Sequence, residues 1–341
     1  MFQPIRTERL LIRQAEERDA PAMAERRSDP DVARYQAWEI PYPLERAQET
    51  VADVARMEGP ENDAWWMASV CDPVDTEVLG DLVVHLSSEG RTAEIGYTFS
   101  TANWGHGFAM EGLEALIPYL FDDVGVTRIF GMLHPDNPAS AMVMERCGFE
   151  FEGHTRSSFW LGDDNSDDWI YGLTRELWES WRSRPRGAPD EIRLIEVTSD
   201  NQDDVAGLRT HKTQERFVAS VLQSYGDALF PEVENGLPLQ PWLRAIEADG
   251  ELAGFVMLAA VTEAHPEPIL WRFLIDRAHQ RRKIGKRALD LVADAARSMG
   301  ATTLATSWVE GKGSPAGFYT SYGFAPTGRV IEGEIEARLN L

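Results

Sequence analysis

The chain has 341 residues, a net charge of −23 and 43% hydrophobic residues, and most of the negative charge lies in residues 1–190. This length favours two domains over one, and so acidic a chain is a poor candidate for binding nucleic acid. The charge suits the attraction of a cationic small molecule, although a solvated acidic surface accounts for most of it.

The first half, residues 1–181, alternates between strand-like and helix-like segments. Runs of apolar and β-branched residues predict strands at 9–15, 65–71, 78–87, 93–100 and 127–133. An apolar stripe with helical spacing predicts a long helix after residue 104. A short helix is predicted at 137–147, ended by Gly148, and "SFWLGDDNSDDWIYGL" (158–173) predicts a hairpin with an acidic turn.

The segment "RSRPRGAPDE" (182–191) is predicted to be a linker, because it is rich in Pro, Gly and Arg and has no apolar periodicity. The second half, residues 192–341, then repeats the order of the first. Strands are predicted at 192–197, 243–248, 252–261, 268–276 and 302–309. Helices are predicted at 216–230, after 283, and at 314–322, where Gly323 ends the last one.

The spacing of the elements indicates that one domain is duplicated. Gly107 precedes Gly148 by 41 residues, and Lys283 precedes Gly323 by 40. Each interval contains a loop, a long helix, a strand and a short helix, and each closes on Gly-Phe. Agreement of so many elements indicates an internal repeat of a whole domain rather than of a short solenoid unit.

Both long helices begin directly after a strand and a tight loop. The N–H groups of such a loop and of the helix N-terminus converge on one point, which makes a preformed anion site. In the second half, "HQRRKIGKRALDLVADAA" (279–296) adds five cationic side chains around one glycine. One such loop is most simply a helix start with solvated basic residues, but two copies in the same context favour a functional anion site.

On these residues the chain resembles the GNAT superfamily of acyl-CoA-dependent N-acetyltransferases, as two tandem copies that cover nearly its whole length. The first half resembles RimJ/RimL-type enzymes in "RTERLLIR" (6–13), "EIGYTF" (94–99), "WGHGFAMEGL" (104–113) and "NPASAMVMERCGF" (137–149). The second half resembles diamine or spermidine acetyltransferases in "WLRAIEADGELAGFVML" (242–258), "ILWRFLIDRAHQRRKIGKRAL" (269–289) and "GKGSPAGFYTSYGFAPTG" (311–328). The resemblance implies an α/β fold with two GNAT domains. Each would be a twisted, mixed, mostly antiparallel sheet with flanking helices and splayed strands 4 and 5.

The resemblance also implies where acetyl-CoA binds. GNAT enzymes hold its pyrophosphate on a loop of pattern Gln/Arg-x-x-Gly-x-Gly/Ala after strand 4, and the pantetheine pairs with the backbone of that strand. The strand ends are Tyr97–Ser100, with Phe99, and Phe273–Ile275, with Leu274 and Ile275. The loop residues of the first half are Trp104, Gly105, His106, Gly107, Phe108 and Ala109, with Trp in place of Gln/Arg. Those of the second half are Gln280, Arg281, Arg282, Lys283, Ile284 and Gly285, followed by Lys286, with Lys283 at the first glycine position.

The acid that assists the departing CoA thiolate is, in this family, commonly the Tyr of a Phe-Tyr pair before Gly-Phe. That residue is Tyr319 in the second half. The first half has Met144 at this place, and the resemblance implies instead that Asn137 and Ser140 bind CoA or assist the thiolate. Helix capping is an equally good explanation for Asn137.

The base that removes the amine proton is less well marked. In the first half we predict Glu94 on strand 4, with Glu39, Glu111 and His85 as rivals. In the second half we predict Glu310 after strand 5, with Glu247 as its rival. The histidines show no metal-ligand spacing, so we expect no metal.

Together these features predict an N-acetyltransferase that moves an acetyl group from acetyl-CoA to a primary amine, on a cationic small molecule such as a polyamine or an aminoglycoside-like compound. A protein N-terminus is the alternative acceptor. A non-catalytic acyl-CoA sensor, or one active domain beside a degenerate one, is the alternative role. With two cysteines and no signal-peptide or membrane-spanning pattern, we expect a cytoplasmic monomer or homodimer without membrane or nucleic-acid partners.

Overall fold

The computed structural model describes residues 2–161, 163–234 and 236–341. The chain divides into two compact units, Met1–Ser183 and Arg184–Leu341. Each unit has its own mixed sheet and its own buried apolar clusters, as the sequence predicts. Over the described ranges, no helix is both long enough and apolar enough to cross a membrane.

The first unit contains an eight-stranded sheet with strand order β1-β2-β3-β4-β5-β6-β8-β7. Its strands are β1 (Ile5–Arg6), β2 (Leu11–Gln14), β3 (Trp65–Cys71), β4 (Val78–Ser87), β5 (Thr92–Phe99), β6 (Arg128–Leu133), β7 (Glu150–Leu161) and β8 (Asp164–Thr174). Neighbouring strands are antiparallel except β5 and β6, which run parallel. The sheet is therefore mixed and mostly antiparallel, which confirms the prediction.

The helices of the first unit are α1 (Ala20–Ser28), α2 (Pro30–Ala33), α3 (Leu44–Ala55), α4 (Phe108–Tyr119), α5 (Pro138–Arg146) and α6 (Arg175–Ser183). The apolar stripe after residue 104 is buried as predicted, with Leu113, Leu116 and Ile117 at most 1% exposed. A Cβ added at Gly112 would lie 3.5 Å from Leu82 of β4, so α4 packs closely on the sheet. The start of α4 is thereby fixed relative to the end of β5.

The predicted hairpin within 158–173 is confirmed, because β7 and β8 pair antiparallel and Asp163 lies in the turn between them, but most of the acidic run lies outside the turn. Gly162 lies outside the described residues, and β8 begins at Asp164, so the acidic run belongs mainly to a strand. Donors on the other strand hydrogen-bond two of its carboxylates: Asp167 accepts from the Ser157 N–H at 2.9 Å, and Asp168 accepts from the Ser158 hydroxyl at 2.7 Å. These hydrogen bonds stabilise the two carboxylates within the hairpin.

The second unit contains a seven-stranded sheet with strand order β16-β17-β15-β14-β13-β12-β9 and a separate hairpin, β10-β11. Its strands are β9 (Ile192–Glu196), β10 (Val233–Glu234), β11 (Leu237–Pro238), β12 (Pro241–Ala248), β13 (Glu251–Ala259), β14 (Ile269–Ile275), β15 (Thr303–Trp308), β16 (Ala325–Ile331) and β17 (Glu334–Asn340). Only β14 and β15 run parallel within the seven-stranded sheet. The second sheet thus repeats the parallel pair of the first.

The helices of the second unit are α7 (Gln202–Ala206), α8 (Val221–Leu229), α9 (Ile284–Ser298) and α10 (Ala316–Tyr322). Helix α8 is shorter than the predicted span 216–230. It begins at Val221 because the Ser220 side chain accepts from the Gln223 N–H at 3.1 Å and caps the first turn. Residues 216–220 lie outside the helix as a result.

Candidate active site

Each sheet opens between its two parallel strands. Strands β5 and β6 pair only over Thr92–Glu94, although β5 continues to Phe99. Strands β14 and β15 pair only at Ile269 and Leu270, although β14 continues to Ile275. The backbone beyond these rungs is not paired with the neighbouring parallel strand, so each opening offers an edge to which an extended ligand can add.

The loops that follow β5 and β14 share one backbone shape. Gly105 and Gly107 have φ values of 79° and 80°, in the left-handed region. Arg281 and Lys283 occupy the same region, with φ values of 62° and 63°. A side chain in this region costs about 1–3 kcal/mol, so the second loop keeps a strained shape that glycine would adopt freely. In this backbone shape successive N–H groups can converge on one anion together with those of the helix N-terminus.

The first residue of each loop bonds to the end of the preceding strand, through a different side-chain group in each domain. The indole N–H of Trp104 donates to the Phe99 carbonyl at 2.9 Å. The amide of Gln280 donates to the Ile275 carbonyl at 3.2 Å. Both side chains therefore fasten the loop to the last residue of the preceding strand, which explains why Trp can stand where the pattern has Gln or Arg.

The first loop is also fastened by a cluster that the sequence pattern does not reveal. The Arg9 guanidinium donates to the His106 carbonyl at 2.9 Å and pairs with Glu111 at 2.6 Å. The Thr7 hydroxyl donates to the same Glu111 carboxylate at 2.5 Å, and these bonds hold the pKa of Glu111 below its ordinary value although burial raises it. Glu111, one rival for the base, is thus occupied in holding the loop to the start of the chain.

The cations of the second loop divide into two groups. Arg282 is buried and donates to the Gly187 carbonyl at 2.8 Å, and Arg287 donates to the Asp190 carbonyl at 2.9 Å. These two side chains therefore hold the segment before β9. The other three cations are exposed and form no ion pair within the described ranges: Arg281, Lys283 and Lys286.

A cleft of about 1240 Å³ lies beside the second opening. The three unpaired cations line it, as does Tyr319. Six carboxylates also line it. Five lie in or beside the two hairpins, at Glu232, Glu234, Glu332, Glu334 and Glu336, and the sixth, Glu215, stands next to the cationic Arg216. The cleft therefore has positive charge on the loop after β14 and negative charge on the β10-β11 and β16-β17 hairpins.

Tyr319 on α10 is mostly buried at the edge of this cleft. Its ring stacks on Trp308 with a centroid distance of 5.7 Å, and Thr306 is its hydroxyl neighbour. Burial raises the pKa of Tyr319, so its hydroxyl stays protonated at neutral pH. The predicted acid thus keeps a proton to donate and reaches the cleft.

The first opening is built differently. Met144 stands four residues before Gly148, as Tyr319 stands before Gly323, and it is 2% exposed in the core. Ser140 lies one turn earlier on α5 and donates its hydroxyl to the Tyr97 hydroxyl at 2.8 Å. The Asn137 side chain accepts from the Ser140 N–H at 3.2 Å and so caps α5.

Glu94 lies on the last paired rung of the first opening, opposite Phe130, and is half-buried. Burial raises its pKa above the ordinary value, His85 opposes this, and Asp168 adds to it. His85 is directly across from Glu94 on β4. The carboxylate is thus a stronger base than a solvated one, at the point where the strands begin to diverge.

The remaining predicted bases lie elsewhere. Glu310 is exposed and does not line the cleft of the second unit. Glu247 pairs with Arg193 across strands β12 and β9. Glu39 is exposed beside Trp38 in a small pocket of about 380 Å³. Of the carboxylate candidates, Glu94 is half-buried and lies on a strand that forms an opening, whereas the rival His85 is half-buried on the neighbouring strand β4.

Several predicted contacts to acetyl-CoA are core residues. Phe99, Leu274 and Ile284 are at most 6% exposed, so only their backbone can face a ligand. A Cβ at Gly285 would lie 3.4 Å from the Phe318 ring, which packs α9 on α10. Phe108 lies under the Arg9 guanidinium, and Ala109 packs against the core.

In the described part of the chain, no group of three or more His, Cys, Asp or Glu residues is arranged to hold a metal ion. Cys71 and Cys147 are both buried, and burial raises the pKa of each thiol above its ordinary value. Neither cysteine is therefore arranged as a nucleophile.

A family model described as an acetyltransferase (GNAT) domain matches residues 9–150, and one described as the acetyltransferase (GNAT) family matches residues 209–324. The chain is 29% identical over 176 residues to a Bacillus subtilis protein named "Uncharacterized N-acetyltransferase YoaA", covering 51% of this chain and 98% of that protein. It is 30% identical over 153 residues to "Uncharacterized N-acetyltransferase p20" of Bacillus licheniformis, covering 44% of this chain and 84% of that protein. A crystal structure of a GNAT-family acetyltransferase from Bacillus anthracis is 28% identical, covers 51% of this chain and 99% of that chain, and has a TM-score of 0.47.

Proposed function

The chain belongs to the GNAT family of acetyltransferases, with two such domains in tandem, and we propose that it transfers an acetyl group to a primary amine of a cationic small molecule, such as a polyamine or an aminoglycoside-like compound. The chain is an acyl-CoA-dependent N-acetyltransferase. The proposal concerns the acceptor amine. Its main support is the separation of charge within the cleft of the second domain.

Acetyl-CoA supplies a reactive thioester at the end of a long arm that carries phosphates at its other end. In the first domain we assign the phosphates to the backbone of the Trp104–Ala109 loop. A Cβ at Gly105 would meet nothing within 4 Å, so that face has room for a bulky anion. In the second domain we assign them to the Gln280–Gly285 loop with Arg281, Lys283 and Lys286, which lack ion-pair partners within the described residues. Arg282 supports that loop indirectly, through Gly187.

The arm would lie along the free edge of β5 or β14, which leads from each loop to the last paired rung. This path ends near Glu94 and Ser140 in the first domain and near Tyr319 in the second. We assign Glu94 the removal of the amine proton, because its half-buried carboxylate has a raised pKa at the end of the path. We assign Ser140 and Tyr319 the stabilisation of the departing sulfur.

We assign the base of the second domain to the carboxylates that line the cleft. Glu310 stays outside it, and Leu270 occupies the position that matches Glu94, counted from the loops. Glu232 and Glu332 are exposed and unpaired among the described residues. They suit the binding of an ammonium group and the removal of its proton once it is bound.

The acceptor is tested by measuring the release of free CoA thiol with a panel of amines. The panel contains a triamine such as spermidine, an aminoglycoside, a monoamine with no other charged group, and a short peptide with a free N-terminus. We expect the polycations to exceed the monoamine in kcat/KM by on the order of 10-fold at low salt. The preference should shrink as the screening length falls from about 10 Å at 0.1 M salt to about 3 Å at 1 M.

Two variants locate the preference. Glu232→Gln with Glu332→Gln should reduce it, whereas Glu310→Gln removes an exposed carboxylate outside the cleft and should not. A preference for the monoamine that does not depend on salt would contradict a cationic acceptor. The acidic residues would then serve only as a solvated surface. A clear preference for the peptide would identify a protein N-terminus as the acceptor instead.

A further inference from the structure

The two openings present their phenol hydroxyls from opposite walls. In the second domain the phenol is Tyr319 on the helix, and the strand residue across the opening is Phe273, whose ring stacks on Phe318 at 6.1 Å. In the first domain the helix residue is Met144 and the strand carries Tyr97. Tyr97 and Phe273 correspond, since each stands seven residues before the first residue of its loop. The phenol hydroxyl therefore comes from the helix in the second domain and from the strand in the first.

Met144 cannot supply what Tyr319 supplies, because a thioether has no proton to donate. It packs against Gly131 of β6, where a Cβ would collide with the Met144 side chain. Gly131 therefore provides the space that Met144 fills. The helix wall of the first opening is thus apolar at the position that matches Tyr319, and any hydroxyl must come from Ser140 or from β5.

Tyr97 and Ser140 form a closed pair at this place. The Ser140 hydroxyl donates to the Tyr97 oxygen at 2.8 Å, and the Tyr97 hydroxyl donates to the Ser140 main-chain carbonyl at 2.8 Å. The Ser140 N–H is held by Asn137 at the same time. Burial raises the pKa of Tyr97, so the phenol stays neutral and remains a hydrogen-bond partner over the working pH range.

We propose that Tyr97 is a positioning residue for acetyl transfer in the first domain: its phenol fixes the Ser140 hydroxyl in the opening between β5 and β6, where Ser140 donates a hydrogen bond to the departing sulfur. This inference depends on the proposed function of the first domain. Ser140 can turn its hydrogen from the phenol to the sulfur, and the Tyr97 hydroxyl can then donate to the Ser140 oxygen in exchange.

The reaction balances without a net proton transfer from this pair. The amine nitrogen bonds to the acetyl carbon, the carbon–sulfur bond breaks, and its electron pair stays on sulfur. Glu94 takes the proton that the nitrogen loses, and the thiolate gains a proton from water after it leaves. Tyr97 and Ser140 only lower the energy of the negative sulfur by hydrogen bonding.

The kinetic test uses the full chain with Tyr319→Phe, so that the first domain dominates. Tyr97→Phe keeps the ring and removes the hydroxyl, and we expect kcat to fall roughly 10-fold, the size of one well-placed hydrogen bond. KM for acetyl-CoA and the melting temperature should change little. In a chain that already carries Ser140→Ala, Tyr97→Phe should have no further effect, because residues that act as a unit are not additive. Tyr119→Phe, which removes a half-buried phenol hydroxyl elsewhere in the domain, is the control and should be silent.

A spectroscopic measurement separates this inference from the proposed function. The absorbance of the thiolate is followed against pH with CoA bound to a chain that carries Lys283→Glu and Lys286→Glu, so that only the first domain holds CoA. We expect the thiol of bound CoA to have a lower pKa than the thiol of free CoA measured in the same buffer, and Tyr97→Phe to move the pKa back towards that of free CoA.

Each outcome is decisive. If the first domain binds no CoA, the proposed function of that domain fails and the role of Tyr97 fails with it. If CoA binds but Tyr97→Phe changes neither kcat nor the thiol pKa, only the role of Tyr97 is overturned. Full additivity of Tyr97→Phe and Ser140→Ala would show that the phenol acts independently of Ser140, which also contradicts the inference.

Discussion

Glu94→Gln is expected to lower the rate of the first domain by roughly 10²- to 10⁴-fold, the range of a positioned general base. Glutamine keeps the shape of the side chain but cannot take a proton from the amine. The rate is measured as thiol release in a chain that also carries Tyr319→Phe, because an active second domain would otherwise hide the loss. Glu39→Gln, at an exposed rival of the same domain, should leave the rate within a few-fold of the parent.

The role of Glu94 as a base also predicts how the rate of the first domain changes with pH. Burial raises the pKa of Glu94, so the rate should fall as pH drops through that raised pKa, and Glu94→Gln should abolish this limb. A carboxyl whose pKa is higher in the folded than in the unfolded state costs stability at pH values above the folded pKa, and this cost disappears as pH falls. The variant should therefore be at least as stable at neutral pH. An unchanged rate, or a loss explained by unfolding, would remove Glu94 from the mechanism.

Tyr319→Phe is expected to lower the rate of the second domain by roughly 10²-fold, the cost of removing one hydrogen-bond donor from a developing negative charge. The ring keeps its stack on Trp308, so folding and acetyl-CoA affinity should hardly change. The measurement is thiol release in a Glu94→Gln background, so that the first domain contributes little.

Ser140→Ala is the matched control in the other domain, since it also removes a hydroxyl beside an opening. If Tyr319→Phe has no effect while Ser140→Ala abolishes turnover, the first domain alone is active. If neither variant changes the rate of an active enzyme, water assists the thiolate and neither hydroxyl takes part.

Local patterns in the sequence were enough to predict the repeated order of elements, and the resemblance to GNAT enzymes implied the fold of each copy. The apolar stripe that contains Leu113 and Leu116 marks α4, and the equal spacing from Gly107 and Lys283 marks the repeat, because both depend on neighbours along one chain segment. The left-handed shape of the second loop is less visible: Arg281 and Lys283 adopt it without glycine because the surrounding strand and helix ends impose it.

Contacts between segments that are distant in the chain left no recognisable pattern in the sequence. Arg9 and Glu111 are 102 residues apart and meet only because β2 and α4 pack on one sheet. Tyr97 and Ser140 are 43 residues apart and meet across the opening. Arg282 has a guanidinium that could bind phosphate, yet it is buried and donates to the Gly187 carbonyl instead. Pattern identifies which residues can do chemistry, and the packing determines which of them meet.

The most direct measurement is a calorimetric titration of the full chain with CoA. We predict two sites per chain, one at each loop, and a single remaining site when Lys283 and Lys286 are both changed to Glu. Two sites in the parent and one in that variant would support a pair of working acyl-CoA openings. Only one site in the parent would mean that one copy has lost its ligand, and no binding at either loop would contradict the assignment of acetyl-CoA to these openings.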